Sequence, residues 1–220
     1  MTSPKALIFD IDGTLWDSVA LVGEGYNLQL IDDGHPELCI SEAKLRTLFG
    51  KTMVDLADGM LAGLPKERCM DQMERCMDRE MVHLWESPCN IGYPKVKETL
   101  AVLSEKRNLY IVSNSQCGYP EVCIEKLGLT PYIRGHLCFG DTGAAKSVTI
   151  RTLMEKYRIE SAAYVGDIQG DCDSAHAAGI PFVWAAYGFG DVKDYEAKID
   201  RFEDLLSLFE DCGKAPDVAL

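Results

Sequence analysis

Four aspartates fall in two short clusters: DIDGT over residues 10–14 carries Asp10 and Asp12, and GDIQGD over 166–171 carries Asp167 and Asp171. Close carboxylates repel one another unless a cation lies between them or some are protonated. A donor set of oxygens, with no histidine among its members, suits Mg2+ better than zinc or copper. Asp10 and Asp12 are two residues apart and can share one side of an extended segment, and Gly13 lets the backbone turn sharply afterwards. One carboxylate could then attack while its neighbour moves protons. Ser113-Asn114 adds a hydroxyl and an amide, and Lys146 adds an ammonium from within GDTGAAKS, residues 140–147. That stretch is one residue away from the nucleotide-cradling pattern GxxxxGK[ST], because Ala145 replaces its second glycine. A nucleotide loop would also leave DIDGT unexplained. A divalent cation, a lysine and hydroxyl or amide donors suit phosphoryl transfer, where positioning and charge neutralisation do most of the work.

These groups need a scaffold that brings them together. KALIFD (5–10) reads as a buried strand, and from residue 94 strand and helix alternate. A helix over 94–106 precedes the strand LYIVS (109–113), and a helix closing at Gly128 precedes HLCF (136–139). A helix over 147–157 precedes AAYVG (162–166), and a helix closing at Gly179 precedes PFVWA (181–185). Strands separated by helices are crossover units of a parallel sheet. Residues 17–86 carry helical punctuation instead. Helices are expected over 17–31, from an N-cap at Ser41 to near Gly50, over 52–62, and from Pro65 to about Ser87. The fold class is therefore α/β, a Rossmann-like parallel sheet core with an inserted all-helical cap domain. The expected boundaries are 1–16 and 88–220 for the core and 17–87 for the cap. Each chemical group then follows a strand, where open parallel sheets place their sites.

With its motifs in this order, the chain resembles the haloacid dehalogenase superfamily, specifically phosphoglycolate phosphatase-like hydrolases with a helical cap inserted after the first motif. DIDGT fits the nucleophile motif, Ser113-Asn114 the phosphate-binding motif, Lys146 the lysine motif and GDIQGD the acidic motif. The resemblance implies that Asp10 attacks phosphorus and carries an aspartyl-phosphate, while Asp12 protonates the leaving oxygen and then activates water. It implies that Ser113, backbone donors near Asn114, and Lys146 bind the phosphoryl group. Mg2+ would be held by Asp10, the backbone carbonyl of Asp12, Asp167, and Asp171 directly or through water, with Thr14 supporting the turn. Two positions depart from the family pattern: no proline follows Lys146, and Ile168 stands where a small hydroxyl residue is common. The implied activity is Mg2+-dependent hydrolysis of a small phosphorylated metabolite, phosphoglycolate or a sugar phosphate. The alternatives are a phosphosugar mutase of the same superfamily, which returns the phosphate to substrate, or a non-catalytic phosphometabolite sensor.

Composition narrows the rest. A net charge of −13 over 220 residues argues against binding the nucleic-acid backbone, and no apolar run approaches a membrane span. Nine cysteines without a CxxC pair, behind an N-terminus unlike a secretory signal, point to free thiols and a cytoplasmic protein, monomeric or homodimeric. Cys69, Cys76 and His83 recur every seven residues on one helix face, but that spacing spans ~10.5 Å per step, too far for neighbours to share one ion. With Met73, Met77, Met81 and Leu84, the two cysteines read as a packing stripe. Cys172 and His176 read as structural, and Trp16 and Tyr187 either border the entrance or pack. In the cap, Arg46 and Lys51 flank a helix end near Gly50 and are the candidates for recognising an anionic substrate.

Overall fold

The computed structural model describes residues 4–209. Six parallel strands form one sheet: β1 (Ala6–Phe9), β2 (Asn108–Ser113), β3 (Ile133–Cys138), β4 (Ala162–Gly166), β5 (Phe182–Ala185) and β6 (Ala197–Ile199), in the order β3-β2-β1-β4-β5-β6. The strand order reverses beside β1, so the crevice between β1 and its neighbours opens at their carboxyl ends. The apolar run of β1 serves both faces of the sheet. Leu7 and Phe9 join the larger core with Ile111, Val165 and Val183, while Ala6 and Ile8 join a second core with Tyr110, Tyr164 and Phe182. A central strand covered on both sides must be apolar at every position, which is why KALIFD shows no alternation.

Between β1 and the helix that leads into β2 lie helices and turns: α1 (Val19–Asp32), a 3-10 turn at Pro36–Leu38, α2 (Glu42–Arg46), α3 (Met53–Met60) and α4 (Lys66–Glu86). Local capping explains their starts. Ser41 Oγ accepts from Lys44 N at the head of α2, and Thr52 Oγ1 accepts from Asp55 N at the head of α3. The stripe of α4 packs against α1: Cys69, Met73, Cys76 and Leu84 share the core with Val22, Tyr26 and Leu30, and Met77 and Met81 pack at its edge. Burial pushes the Cys76 thiol up to about 11, so it behaves as a small hydrophobe. His83 pairs with Glu24 at 2.9 Å. The eight cysteines among the described residues are all free, and Cys212 lies outside them.

The remaining helices are α5 (Val96–Ser104), α6 (Tyr119–Lys126), α7 (Phe139–Thr142), α8 (Lys146–Tyr157), α9 (Gln169–Ala178) and α10 (Asp204–Leu208). The structure corrects the sequence reading in four places. The third strand starts earlier and stops at Cys138, because Phe139 opens α7, where Asp141 Oδ2 accepts from Cys138 N at 2.8 Å. The helix begun at Ser41 ends at Arg46 and gives way to turns as far as Gly50. A sixth strand, β6, and the short α10 are additional; three residues carry no periodicity from which β6 could be read. Among the described residues, no helix is long and apolar enough to cross a membrane.

Candidate active site

Asp10 directly follows β1 and is fixed there by its backbone N–H, which donates to Val165 O of β4 at 2.9 Å. The chain then turns at once, with Leu15 N bonding back to Ile11 O at 2.7 Å and Gly13 at φ +78°. Gly13 is required twice over. Its conformation is left-handed, and a Cβ there would stand 1.9 Å from Asp167 Oδ2. The glycine of DIDGT thus lets the first loop press against the second aspartate cluster. Asp167 leaves the end of β4, and Asp171 lies in the first turn of α9.

One oxygen each from Asp10, Asp167 and Asp171 lies within 4.8 Å of the others, and all three residues are buried. Lys146, the first residue of α8, reaches into them: its Nζ donates to Asp10 Oδ1 at 2.9 Å and to Asp171 Oδ1 at 2.6 Å. Its ammonium also sits 5.8 Å from the centre of the Tyr164 ring. Lys146 therefore serves the aspartates. Burial works against its charge, but Asp10 and Asp171 outweigh that and hold its pKa well above the usual value. Asp171 is committed on both oxygens, since Oδ2 accepts from the N–H groups of Asp167 and Ile168. Asp167 Oδ2 accepts from Phe189 N at 2.7 Å, while its Oδ1 is buried without a partner.

Three carboxylates against one ammonium leave an excess of buried negative charge. Burial, then Asp171, pushes Asp10 up to about 7 against the pull of Lys146, and burial pushes Asp167 well up. The orphaned Asp167 oxygen, the all-oxygen donors and the uncompensated charge together fit a hard divalent cation such as Mg2+.

Asp12 has a different position. Its Oδ1 accepts from Trp16 Nε1 at 2.8 Å, Ser18 Oγ at 2.6 Å and Tyr119 OH at 2.7 Å. Among the described residues, nothing hydrogen-bonds Oδ2, and Asp12 lines the same cavity as Asp10, Ser113 and Lys146. The expectation that Asp10 and Asp12 lie side by side on an extended segment is corrected: the turn after Asp10 directs the Asp12 carboxylate to α6, outside the group of three. Burial raises its pKa while the three donors oppose the rise. Tyr119 thus holds the Asp12 carboxylate in place through this hydrogen bond. Tyr119→Phe removes one donor to the ionised form and is expected to lower kcat about tenfold and to move the acid limb of its pH profile upward by up to about one unit. An unchanged limb with a lowered kcat would reduce Tyr119 to packing.

Comparison with known proteins gives the family. Residues 7–185 match the family model for haloacid dehalogenase-like hydrolases. The chain belongs to that family. It is 30% identical to a phosphoglycolate phosphatase of Mesorhizobium japonicum, over 92% of this chain and 93% of the relative. It is 27% identical to a phosphoglycolate phosphatase of Aliivibrio fischeri, over 93% and 96%. Among solved structures, a predicted phosphoglycolate phosphatase from Haemophilus somnus superposes with a TM-score of 0.82 at 24% identity, over 96% of this chain and all of that one. A haloacid dehalogenase-like protein of Streptococcus pneumoniae superposes with a TM-score of 0.81 at 20% identity, over 96% and 100%. These two structural likenesses bear on the fold of the hydrolase.

The other candidates sort by what they touch. Ser113 ends β2, is buried, and its Oγ accepts from Ser115 N at 3.2 Å. The Asn114 side chain donates to Gly50 O at 2.9 Å, so in this hydrolase it ties the rim to the helical segment, and Asn114 also lines the cavity. Gly50, at φ +77°, packs against Ile168: a Cβ there would meet Ile168 Cδ1 at 2.4 Å, so the large residue at 168 requires glycine at 50. Arg46 is neutralised, paired with Asp17 at 2.9 Å and Glu42 at 3.0 Å and stacked 4.8 Å over Phe189. Lys51 is exposed at the cavity mouth. Trp16 is wholly buried and Tyr187 OH donates to Thr14 O at 2.8 Å; the first positions Asp12 and the second braces the turn. Cys172 is buried, and His176 pairs with Glu196 at 3.1 Å. Sequence reasoning missed Ser18 and Tyr119, which bond Asp12, and Glu80, which lines the cavity. Ser18 stands where a helix N-cap belongs, yet its hydroxyl bonds Asp12 and makes no cap.

Proposed function

We propose that this hydrolase is a Mg2+-dependent phosphomonoesterase for a small phosphorylated metabolite, acting through an aspartyl-phosphate on Asp10. The observation that carries the reading is that Asp10, paired with Lys146 among buried carboxylates, and Asp12, held separately by Trp16, Ser18 and Tyr119, line the same cavity. Asp10 attacks phosphorus, forming a carboxylate–phosphorus bond as the ester P–O bond breaks. Asp12 delivers its proton to the departing oxygen and then takes one from a water, which displaces Asp10 from phosphorus and releases phosphate. Ser113, the backbone after it and Lys146 hold the phosphoryl oxygens. Asp10, Asp167, Asp171 and the carbonyl of Asp12 would hold Mg2+, which when bound neutralises the carboxylates and the phosphoryl charge. The helical segment 17–87 covers this rim as a cap. The names of the relatives make phosphoglycolate one substrate to try. Free cysteines among the described residues favour a reducing compartment, which supports a cytoplasmic setting for the reaction.

Release of inorganic phosphate from a panel of phosphate monoesters, with Mg2+ and with EDTA, tests the reading. Metal-dependent release is expected, and metal-independent release, or none, would reject it. Stability supplies a second test. Burial places Asp10 at about 7 from 3.8 and Glu80 at about 8 from 4.5, and also raises Asp12 and Asp167. Carboxyls with higher pKa values folded than unfolded bind extra protons in the native state, so native stability falls as pH rises from about 4 to 8. The metal-free protein is thus expected to melt lower at pH 8 than at pH 6. Mg2+ at about 100 times its Kd should raise Tm by about 5–10 °C, most at pH 8, where Asp10 is ionised. Equal Tm with and without Mg2+ would count against the cation site.

A further inference from the structure

Four buried cysteines, Cys69, Cys76, Cys123 and Cys172, belong to the two apolar cores. Cys138 is 1% exposed yet belongs to neither core, and Cys117 is exposed. Cys138 ends β3, and Cys117 lies in the loop between β2 and α6. Their sulfurs converge on Asp141 in α7: Cys117 Sγ donates to Oδ1 at 3.7 Å and Cys138 Sγ donates to Oδ2 at 3.2 Å. One ligand atom from each of the three lies within 4.8 Å of the other two.

Hydrogen bonding alone gives no reason for this convergence. Asp141 Oδ2 already accepts from Cys138 N at 2.8 Å, and a thiol is a weak donor. The backbone is shaped to permit it. A Cβ on Gly140 would stand 2.8 Å from Cys117 Sγ and 2.4 Å from Cys117 N, so only glycine lets α7 press against the loop that carries Cys117. Gly140 N donates to Ser115 O at 3.1 Å and holds the two together.

Two thiols and a carboxylate are donors for a borderline-soft cation: thiolates favour zinc, whereas magnesium and calcium take oxygen. A tetrahedral zinc with bonds of about 2.3 Å to sulfur and about 2.0 Å to oxygen sets its ligands roughly 3.5–3.8 Å apart. The two sulfur–oxygen distances here lie close to that spacing. Cys117 and Asp141 are exposed, which gives an ion its route in and leaves the fourth position to water.

We propose that Cys117, Cys138 and Asp141 form a second metal site, for Zn2+ or a cation of like softness, separate from the oxygen-only group of Asp10, Asp167 and Asp171. Binding forms two metal–sulfur bonds and one metal–oxygen bond, and the two thiol protons pass to solvent. The ion clamps the loop that follows Ser113 to the end of β3, where Cys138 is the sheet partner of Ser113.

Co2+ serves as the probe, because thiolate ligation gives a near-ultraviolet charge-transfer band that oxygen ligands do not. The full chain is titrated in a phosphine reductant, which keeps the thiols free, and in excess Mg2+, which competes for the carboxylate group. One Co2+ per chain is expected to give the band at the intensity of two thiolates, and Zn2+ should displace it. Cys117→Ser should halve the band and weaken binding at least tenfold, and Asp141→Asn should weaken binding at least tenfold. Cys89→Ser, at an exposed cysteine elsewhere, should change neither. No band or a one-thiolate band in the wild type, affinity unaltered by Cys117→Ser or by Asp141→Asn, or a band lost with Cys89→Ser overturns the proposal. The readout needs no turnover, so its outcome is independent of the phosphatase reading.

Discussion

Asp10→Asn is expected to abolish phosphate release, lowering kcat by at least about 10,000-fold. An amide is no nucleophile toward phosphorus, and the residue has no substitute nearby. Asp167 is held by Phe189 N on one oxygen, and Asp171 by Lys146 and two backbone N–H groups. Asp12 is turned toward Trp16, Ser18 and Tyr119. The same substitution removes a buried carboxylate whose ionisation the fold resists, because burial and Asp171 raise Asp10 to about 7. The variant should therefore melt no lower than the wild type at pH 8 without metal. Loss of turnover with retained or increased Tm separates a chemical role from a structural one. Turnover within about tenfold of the wild type would remove Asp10 from the reaction. Phosphate-release kinetics and a melting curve on the same preparation measure both.

Lys146→Met is expected to damage folding and turnover together. Lys146 is the only lysine buried among the described residues, with its side chain 2% exposed against Asp10 at 4% and Asp171 at 0%. Methionine fills similar volume but leaves the carboxylates without their cation. Breaking a buried pair from one side typically costs about 3–5 kcal/mol, because a charge stays buried and uncompensated. The loss should shrink as pH falls below the raised Asp10 and Asp167 values, where these carboxyls are protonated, and also when Mg2+ is added. In the proposed mechanism Lys146 also binds the phosphoryl group, so its removal should lower kcat/KM about 100- to 1000-fold. Urea unfolding at pH 6 and pH 8, with and without Mg2+, checks the first part. A loss of stability independent of pH and of metal would mean that Lys146 matters for its packing alone.

The two variants act on one unit from opposite sides. Asp10 and Lys146 are 136 residues apart in sequence and 2.9 Å apart in space. Their effects are coupled, so the double variant should be less unstable than the sum of the single ones. Removing both charges leaves Asp171 with its two backbone donors and takes away the buried carboxylate that Lys146 otherwise compensates.

Sequence alone determined whatever rests on local chemistry or on the order of elements. The unbroken apolar run Ala6–Phe9 marks a strand covered on both faces, Ser41 and Thr52 cap the helices they precede, and Gly179 ends α9 in a left-handed turn. Alternating strands and helices imply a parallel sheet, and a parallel sheet brings the residues after its strands to one rim. Asp10, Ser113, Lys146, Asp167 and Asp171 could therefore be grouped before any coordinates were known. Tertiary structure decided which way each side chain turns and what it meets. Asp12 is two residues from Asp10 but takes a hydrogen bond from Tyr119, 107 residues away, because the turn at Gly13 redirects the chain. Arg46 resembles a free cation in sequence until Asp17, Glu42 and Phe189 are packed around it. Glu80 is a charged residue on the packing stripe of α4, and its depth of burial is seen only once α1 approaches it closely at Gly25. Periodicity and caps act over a few residues of one chain segment, whereas hydrogen-bond partners and burial depend on segments that meet only when the sheet and the inserted helices close together.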